Sequence, residues 1–156
     1  MKTRILLVAL SVTAAYAAPG SAPQVRLSPL EVDALQAHAA GPGTSGIAGI
    51  STTVVAGDPT RPGLYTIRLS VPANTRIQAH THRDERSAVV VAGTWYFGYG
   101  TKADESAVKA LPAGSFYTEP ANVAHFALTR DSAVQVYITG VGPTDTVYMK
   151  AGDQPK

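Results

Sequence analysis

From Leu64 to Val71 the side chains alternate, with Tyr65, Ile67, Leu69 and Val71 on one side and Thr66, Arg68 and Ser70 on the other. A two-residue period belongs to a strand with one buried face, and no helix can satisfy it. Short apolar runs of similar character precede it at Ile47–Val55 and come after it at Arg76–His82, Ser87–Ala92, Thr94–Tyr99, Ser115–Glu119, His125–Thr129 and Val134–Thr139. Turn formers separate them: Gly57-Asp58-Pro59, Pro62-Gly63, Pro72-Ala73-Asn74, Gly93 and Pro112-Ala113-Gly114. Short strands at even spacing with such turns predict an all-β antiparallel sandwich or barrel. With 156 residues the chain suits one domain with a real core, and 15% charged residues with 14 Gly and 11 Pro lean towards a turn-rich β protein and away from coiled coil or disorder.

Ahead of the strands, Ser28-Pro29-Leu30-Glu31 reads as a helix start. Ser28 and Glu31 form a capping box, Pro29 takes the first helical position, and Leu27 and Val32 are spaced as a hydrophobic staple. The helix is expected to run to about Ala39, stop before Gly41-Pro42-Gly43, and pack Leu30, Ala34 and Leu35 on the strands beyond it.

The first residues have a three-part pattern: Lys2 and Arg4, an uncharged and mostly apolar run from Ile5 to Ala15, and small residues around Tyr16. This predicts a secretory signal peptide over residues 1–17, cleaved after Ala17, and an exported periplasmic or secreted protein. The apolar run is too short for a membrane span, which needs roughly 20 residues, so no stable membrane anchor is expected after cleavage. Cleavage removes Lys2 and Arg4 from thirteen Lys+Arg and nothing from eleven Asp+Glu, which leaves a formal net charge of zero. Without a basic run or interleaved arginines and aromatics, no nucleic-acid partner is expected. The absence of cysteine excludes a disulfide scaffold, a thiolate zinc site and a cysteine nucleophile.

The chemistry centres on histidine. His80 and His82 lie two apart on a predicted strand, so both rings project from one face. Such a pair suits a metal, or equally two polar residues facing solvent on an edge strand; the local pattern does not choose. His125 lies on a later strand, and His38 falls on the predicted helix, away from the others. Tyr117 and Glu119 share a face of the strand before Pro120. Glu119 is a candidate general base, with a surface carboxylate as the competing reading. Of Trp95, Tyr96, Phe97 and Tyr99, half should face the core, and Gln135 and Tyr137 share a face that could line a pocket.

Two stretches together resemble the cupin family, whose motifs are G-x5-H-x-H-x3–4-E-x6-G and G-x5-P-x-G-x2-H-x3-N. In the second, Gly114, Pro120 and His125 fall at the family spacing, Asn122 stands for the second glycine and Thr129 for the final Asn. In the first, Asn74 stands for the opening glycine, His80-Thr81-His82 matches and Gly93 closes it. The resemblance covers about residues 47–142. Gly93-Thr94-Trp95-Tyr96-Phe97-Gly98 and Gly114-Ser115-Phe116-Tyr117-Thr118-Glu119-Pro120 look like small secreted single-domain cupins.

The resemblance implies a jelly-roll barrel over residues 47–142, preceded by an extension over 18–46 and succeeded by a tail over 143–156. It also implies a divalent transition metal (Fe, Mn, Zn, Ni or Cu) held by His80, His82 and His125. The family's acidic position falls on Arg86. Glu85 is therefore expected as the fourth ligand through a shorter turn or a bulge, with three histidines and water as the alternative. Arg86 then clamps a substrate anion or forms a structural ion pair.

The resemblance implies three functions. The first is a dioxygenase-like oxidoreductase acting on a small organic molecule, with Glu119 and Arg86 in catalytic roles. The second is a non-catalytic module that binds or senses a metal or small ligand. The third is a metal-free sugar-processing cupin. Fold alone does not choose among them. A homodimer through a sheet edge or the helix region is also expected.

Overall fold

The computed structural model describes residues 24–39 and 41–155. The predicted signal peptide lies outside them. Among the described residues no helix is long and apolar enough to cross a membrane. The elements are α1 (Pro29–Asp33), β1 (Ala37–His38), β2 (Ser51–Ala56), β3 (Gly63–Val71), β4 (Arg76–Thr81), β5 (Arg86–Ala92), β6 (Thr94–Tyr99), β7 (Lys109–Pro112), β8 (Phe116–Glu119), β9 (His125–Leu128), β10 (Val134–Gly142) and β11 (Val147–Tyr148), with short 3-10 turns at Glu105–Ala107 and Ala151–Asp153.

The strands form two antiparallel sheets, ordered β1-β2-β3-β10-β5-β8 and β11-β4-β9-β6-β7. The expected all-β fold is what forms. In the first sheet β3 and β10 pair along their full length, from Val71 opposite Val134 to Gly63 opposite Gly142. The alternation read from Leu64–Val71 becomes burial: Tyr65, Ile67, Leu69 and Val71 enter the core, where Val90, Val136 and Ile138 join them. Each such side chain taken fully from water contributes roughly 1.5–3 kcal/mol before ordering costs.

Backbone conformation explains the punctuation. Asn74 and Asn122 have φ of 55° and 60°, the left-handed conformation that asparagine tolerates best after glycine. Gly93 turns the chain from β5 into β6 at φ +74°, and a Cβ there would lie 2.3 Å from the carbonyl oxygen of Ala133. Only glycine fits.

The N-terminal helix departs from expectation. Glu31 does reach back, accepting from the Ser28 backbone N–H and hydroxyl at 2.7 Å each. The helix nevertheless ends at Asp33, because the chain extends and pairs Ala37 with Thr53 and His38 with Thr52 at the edge of the first sheet. Leu30 and Ala34 are exposed and Leu35 is half-buried, so the helix is anchored by buried Val32 and by the ion pair of Asp33 with Arg68. At the other end, β10 runs on to Gly142 and β11 pairs with Thr81 and His80. The expected tail thus contributes a strand to the second sheet.

Candidate metal centre

His80 lies near the end of β4, His82 comes just after that strand, and His125 opens β9 directly opposite His80 in the register. Their ligating nitrogens lie within 4.8 Å of one another, and all three side chains are buried. The backbone fixes each ring. The Nδ1–H of His80 donates to the Gln78 carbonyl at 2.7 Å, that of His125 to the Val123 carbonyl at 3.1 Å, and that of His82 to the Asp145 carbonyl. A carbonyl only accepts, so Nδ1 carries the proton and Nε2 keeps its lone pair. The Nε2 atoms of His82 and His125 are buried with no hydrogen-bond partner.

Burial is the main reason that all three imidazoles resist protonation. It holds His80 down to about 4, helped by neighbouring His125, and His82 down to about 2, helped by the Arg86 guanidinium. His125 is lowered for the same reason. Three neutral imidazoles, two of them with buried and unpartnered Nε2 lone pairs, fit a divalent transition metal.

The opposite wall comes from the first sheet. Arg86 on β5 and Glu119 on β8 are direct cross-strand partners, and both are almost fully buried. The Arg86 Nε–H donates to Glu119 Oε2 at 2.7 Å, and Nη2 contacts the same oxygen. That oxygen lies 3.8 Å from His82 Nε2 and 3.7 Å from His125 Nε2. Burial alone would raise the Glu119 carboxyl, but the Arg86 charge together with the neighbouring His125, His82 and His80 outweighs it and holds the group down to about 2. Behind Arg86, buried Asp84 accepts from the Tyr65 hydroxyl at 2.7 Å.

A cavity of about 30 Å³ lies between the two walls. Gly43 and Ser45 line it on one side, and Trp95, Phe97 and Tyr117 contribute aromatic surface. Arg86 Nη1 donates to the Gly43 carbonyl at 3.4 Å, and the Tyr148 hydroxyl donates to the Ser45 carbonyl at 2.6 Å.

No family model matches the sequence, and no curated protein matches it. Solved structures do. The polyketide cyclase RemF from Streptomyces resistomycificus superposes with a TM-score of 0.62 at 13% identity, covering 85% of this chain and 91% of that one. An RmlC-like cupin from Shewanella frigidimarina gives 0.54 at 16% identity, covering 70% and 85%. A protein of unknown function with a cupin-like fold from Ralstonia eutropha gives 0.51 at 21% identity, covering 62% and 57%. The chain has the cupin fold.

Within this cupin barrel His80, His82, His125 and Glu119 come together, and Glu85 does not. Glu85 is exposed, because the bend after His82 turns Asp84 inward to Tyr65 and leaves the next side chain in solvent. Glu119 is the carboxylate beside the imidazoles. Arg86 forms the buried ion pair with Glu119 and donates to the Gly43 carbonyl. Of the aromatic run, Trp95 and Phe97 are buried, Tyr96 is half-buried and Tyr99 is exposed. Gln135 and Tyr137 lie on the opposite face of β10 from buried Val136 and Ile138, and Ile138 is the one that lines the cavity. His38 is exposed, as expected.

Gly43, Ser45, Asp145 and Tyr148 escape a reading of the sequence. Gly43, Ser45 and Asp145 act through main-chain atoms, which leave no pattern of residue types. The only trace of Tyr148 is an apolar residue in a turn-rich tail.

Proposed function

We propose that this cupin-fold chain is an exported metalloprotein that transforms a small organic molecule at the His80–His82–His125 centre, with dioxygenase-like chemistry. The observation that carries the proposal is the convergence of three buried imidazoles, each made an Nε2 lone-pair donor by a hydrogen bond from Nδ1–H to a backbone carbonyl. A divalent transition metal there would supply a Lewis-acid or redox centre with open positions.

The chain's own groups do the rest. The imidazoles fix position and orientation through main-chain bonds that do not depend on a neighbouring side chain. Glu119 is ionised at neutral pH and stands close enough either to complete the ligand set or to take and return a proton. Arg86 orients that carboxylate and keeps it charged. Apolar side chains beyond, Leu69, Ile77 and Ile138 among them, limit water around the reacting atoms. Among the fold neighbours a polyketide cyclase acts on a small organic molecule, which supports that substrate class.

The test is oxygen consumption by protein reconstituted separately with Fe(II), Mn(II), Ni(II), Cu(II) and Zn(II), against phenols and small organic acids. Uptake in one metal form, lost in Glu119→Gln, supports the dioxygenase-like reading. Metal binding without turnover of any compound supports ligand capture instead, a reading favoured by the small cavity. Export is checked by N-terminal sequencing of protein recovered outside the cytoplasm, with Ala18 as the expected first residue.

A further inference from the structure

The metal cavity of about 30 Å³ admits only a few atoms, and a larger space lies against it. Where the last strands of the two sheets, β8 and β7, come together, a groove of about 440 Å³ opens to solvent. That volume is in the range of sites that hold a small organic ligand. Phe97, Tyr99, Phe116 and Tyr117 supply four aromatic rings to the groove, and Leu111 adds apolar surface. The two spaces share a partition. Phe97 and Tyr117 line both, with ring centroids 4.3 Å apart, and Phe97 stacks on His125 at 5.4 Å. Tyr99 stands opposite His125 in the β6–β9 register, and its hydroxyl donates to the Thr118 carbonyl at 2.6 Å, which ties the two sheets together.

The lining narrows the occupant. Phe116 is 63% exposed and Tyr99 is 51% exposed, a large apolar surface that a flat ring would cover. Lys109 is the only lysine, arginine or carboxylate on the lining; it is exposed, and no carboxylate among the described residues pairs with it. Aromatic walls with one free cation match a planar aromatic acid, ring against ring and carboxylate to ammonium. An added β-strand fits less well. Strand β7 carries Lys109 and Pro112, and β8 is four residues long and runs into Pro120, features that blunt a sheet edge.

We propose that the groove between β6, β7 and β8 is a docking site for a planar aromatic carboxylate, its ring against Phe116, Tyr99 and the Phe97–Tyr117 pair and its carboxylate at Lys109. This rests on the proposed function and deepens it, naming the substrate class and the side from which it approaches the metal. Phe97 and Tyr117 are then the side chains that separate the docked ring from the imidazoles. Docking itself uses none of the three histidines.

Cinnamate is the probe, titrated calorimetrically into the protein as purified, with the metal content of the same sample measured in parallel. Cinnamyl alcohol keeps the ring without the charge, and cyclohexanepropanoate keeps the charge without the flat ring. The variants are Lys109→Gln and Phe116→Thr, with Lys150→Gln as the control, an exposed lysine outside the groove. Lys109 and Phe116 are both exposed, so their substitution spares the core, and thermal melts establish that each variant folds. The expected result is saturable cinnamate binding, weakened about threefold in Lys109→Gln and about tenfold in Phe116→Thr and unchanged in Lys150→Gln. Both comparison ligands should bind more weakly than cinnamate.

No cinnamate binding to the wild type, or equal affinity in Lys109→Gln and Phe116→Thr, overturns the docking site; metal in the same sample leaves the reading of the three histidines standing. Cyclohexanepropanoate bound as tightly as cinnamate overturns the aromatic assignment. Cinnamate bound with the expected losses by protein that neither contains nor takes up a metal keeps the docking site and overturns the metal reading. Sedimentation covers the other occupant: a wild-type dimer that binds no cinnamate and becomes a monomer in Phe116→Thr assigns the groove to a second copy of the chain.

Discussion

The two walls of the cavity are built on different principles. The wall from β4 and β9 offers three neutral imidazoles, each oriented by a main-chain carbonyl. The wall from β5 and β8 offers a buried ion pair, Arg86 with Glu119, each of which depends on the other's charge. Neutral lone-pair donors can be removed one at a time with a modest effect on folding. A buried ion pair cannot, because the survivor is an unpaired charge in a medium that solvates it poorly. The first wall specifies what binds, and the second specifies the charge it meets.

The largest effect should come from splitting the pair. Glu119→Ala strands a buried guanidinium and is expected to cost about 3–5 kcal/mol in denaturant unfolding. Arg86→Met combined with Glu119→Leu should recover most of that loss. If the double variant is no more stable than Glu119→Ala, the two groups are not coupled as described.

Acid should separate the walls next, in the metal-free protein. The unfolded chain takes up protons on its histidines near 6.5, whereas the folded chain refuses them down to about 4 at His80 and about 2 at His82. The unfolded state therefore binds more protons in that window, and stability falls as pH drops below about 6.5. Glu119 is held at about 2 against an ordinary value of 4.5. Its contribution is complete above 4.5 and is lost as pH falls towards 2. Urea midpoints measured from pH 7 to 3 should decline throughout, and Glu119→Gln should flatten only the part below about 4.5. A decline confined to the region below 4.5 would mean that the imidazoles are not held neutral.

The smallest effect tests the imidazole wall. Metal-bound histidines are commonly oriented by carboxylates whose loss costs 10–100-fold in affinity. Here the acceptors are main-chain carbonyls, so Gln78→Ala and Val123→Ala should shift metal affinity by less than about threefold in a chelator competition. A tenfold loss in either would show that their side chains matter.

The same contrast explains what can be read from the sequence. His80-Thr81-His82 and the spacing from Pro120 through Asn122 to His125 are local patterns, and strand periodicity converts them directly into geometry. Glu119 is visible as a partner of Tyr117 on one face, but its pairing with Arg86 is a matter of β5–β8 register, which no single stretch encodes. Counting along the first motif therefore leads to Glu85, when the carboxylate comes from a later strand, β8. The expected helix is too long because its capping signals fix a start, whereas its end is set by the pairing of Ala37 and His38 with β2. Strand β11 is two residues long and exists because β4 offers an edge, so Val147 and Tyr148 carry no periodic signal. Core residues such as Ile67 and Val136 are legible from alternation alone.

The most direct test of the neutral wall as a metal centre is elemental analysis of mature protein purified without a histidine tag, beside His80→Ala and His125→Ala. About one transition-metal ion per chain, absent from both variants, is the expected result. Less than about a tenth of an equivalent in the wild type, unrestored by soaking in Fe, Mn, Ni, Cu or Zn, would contradict it.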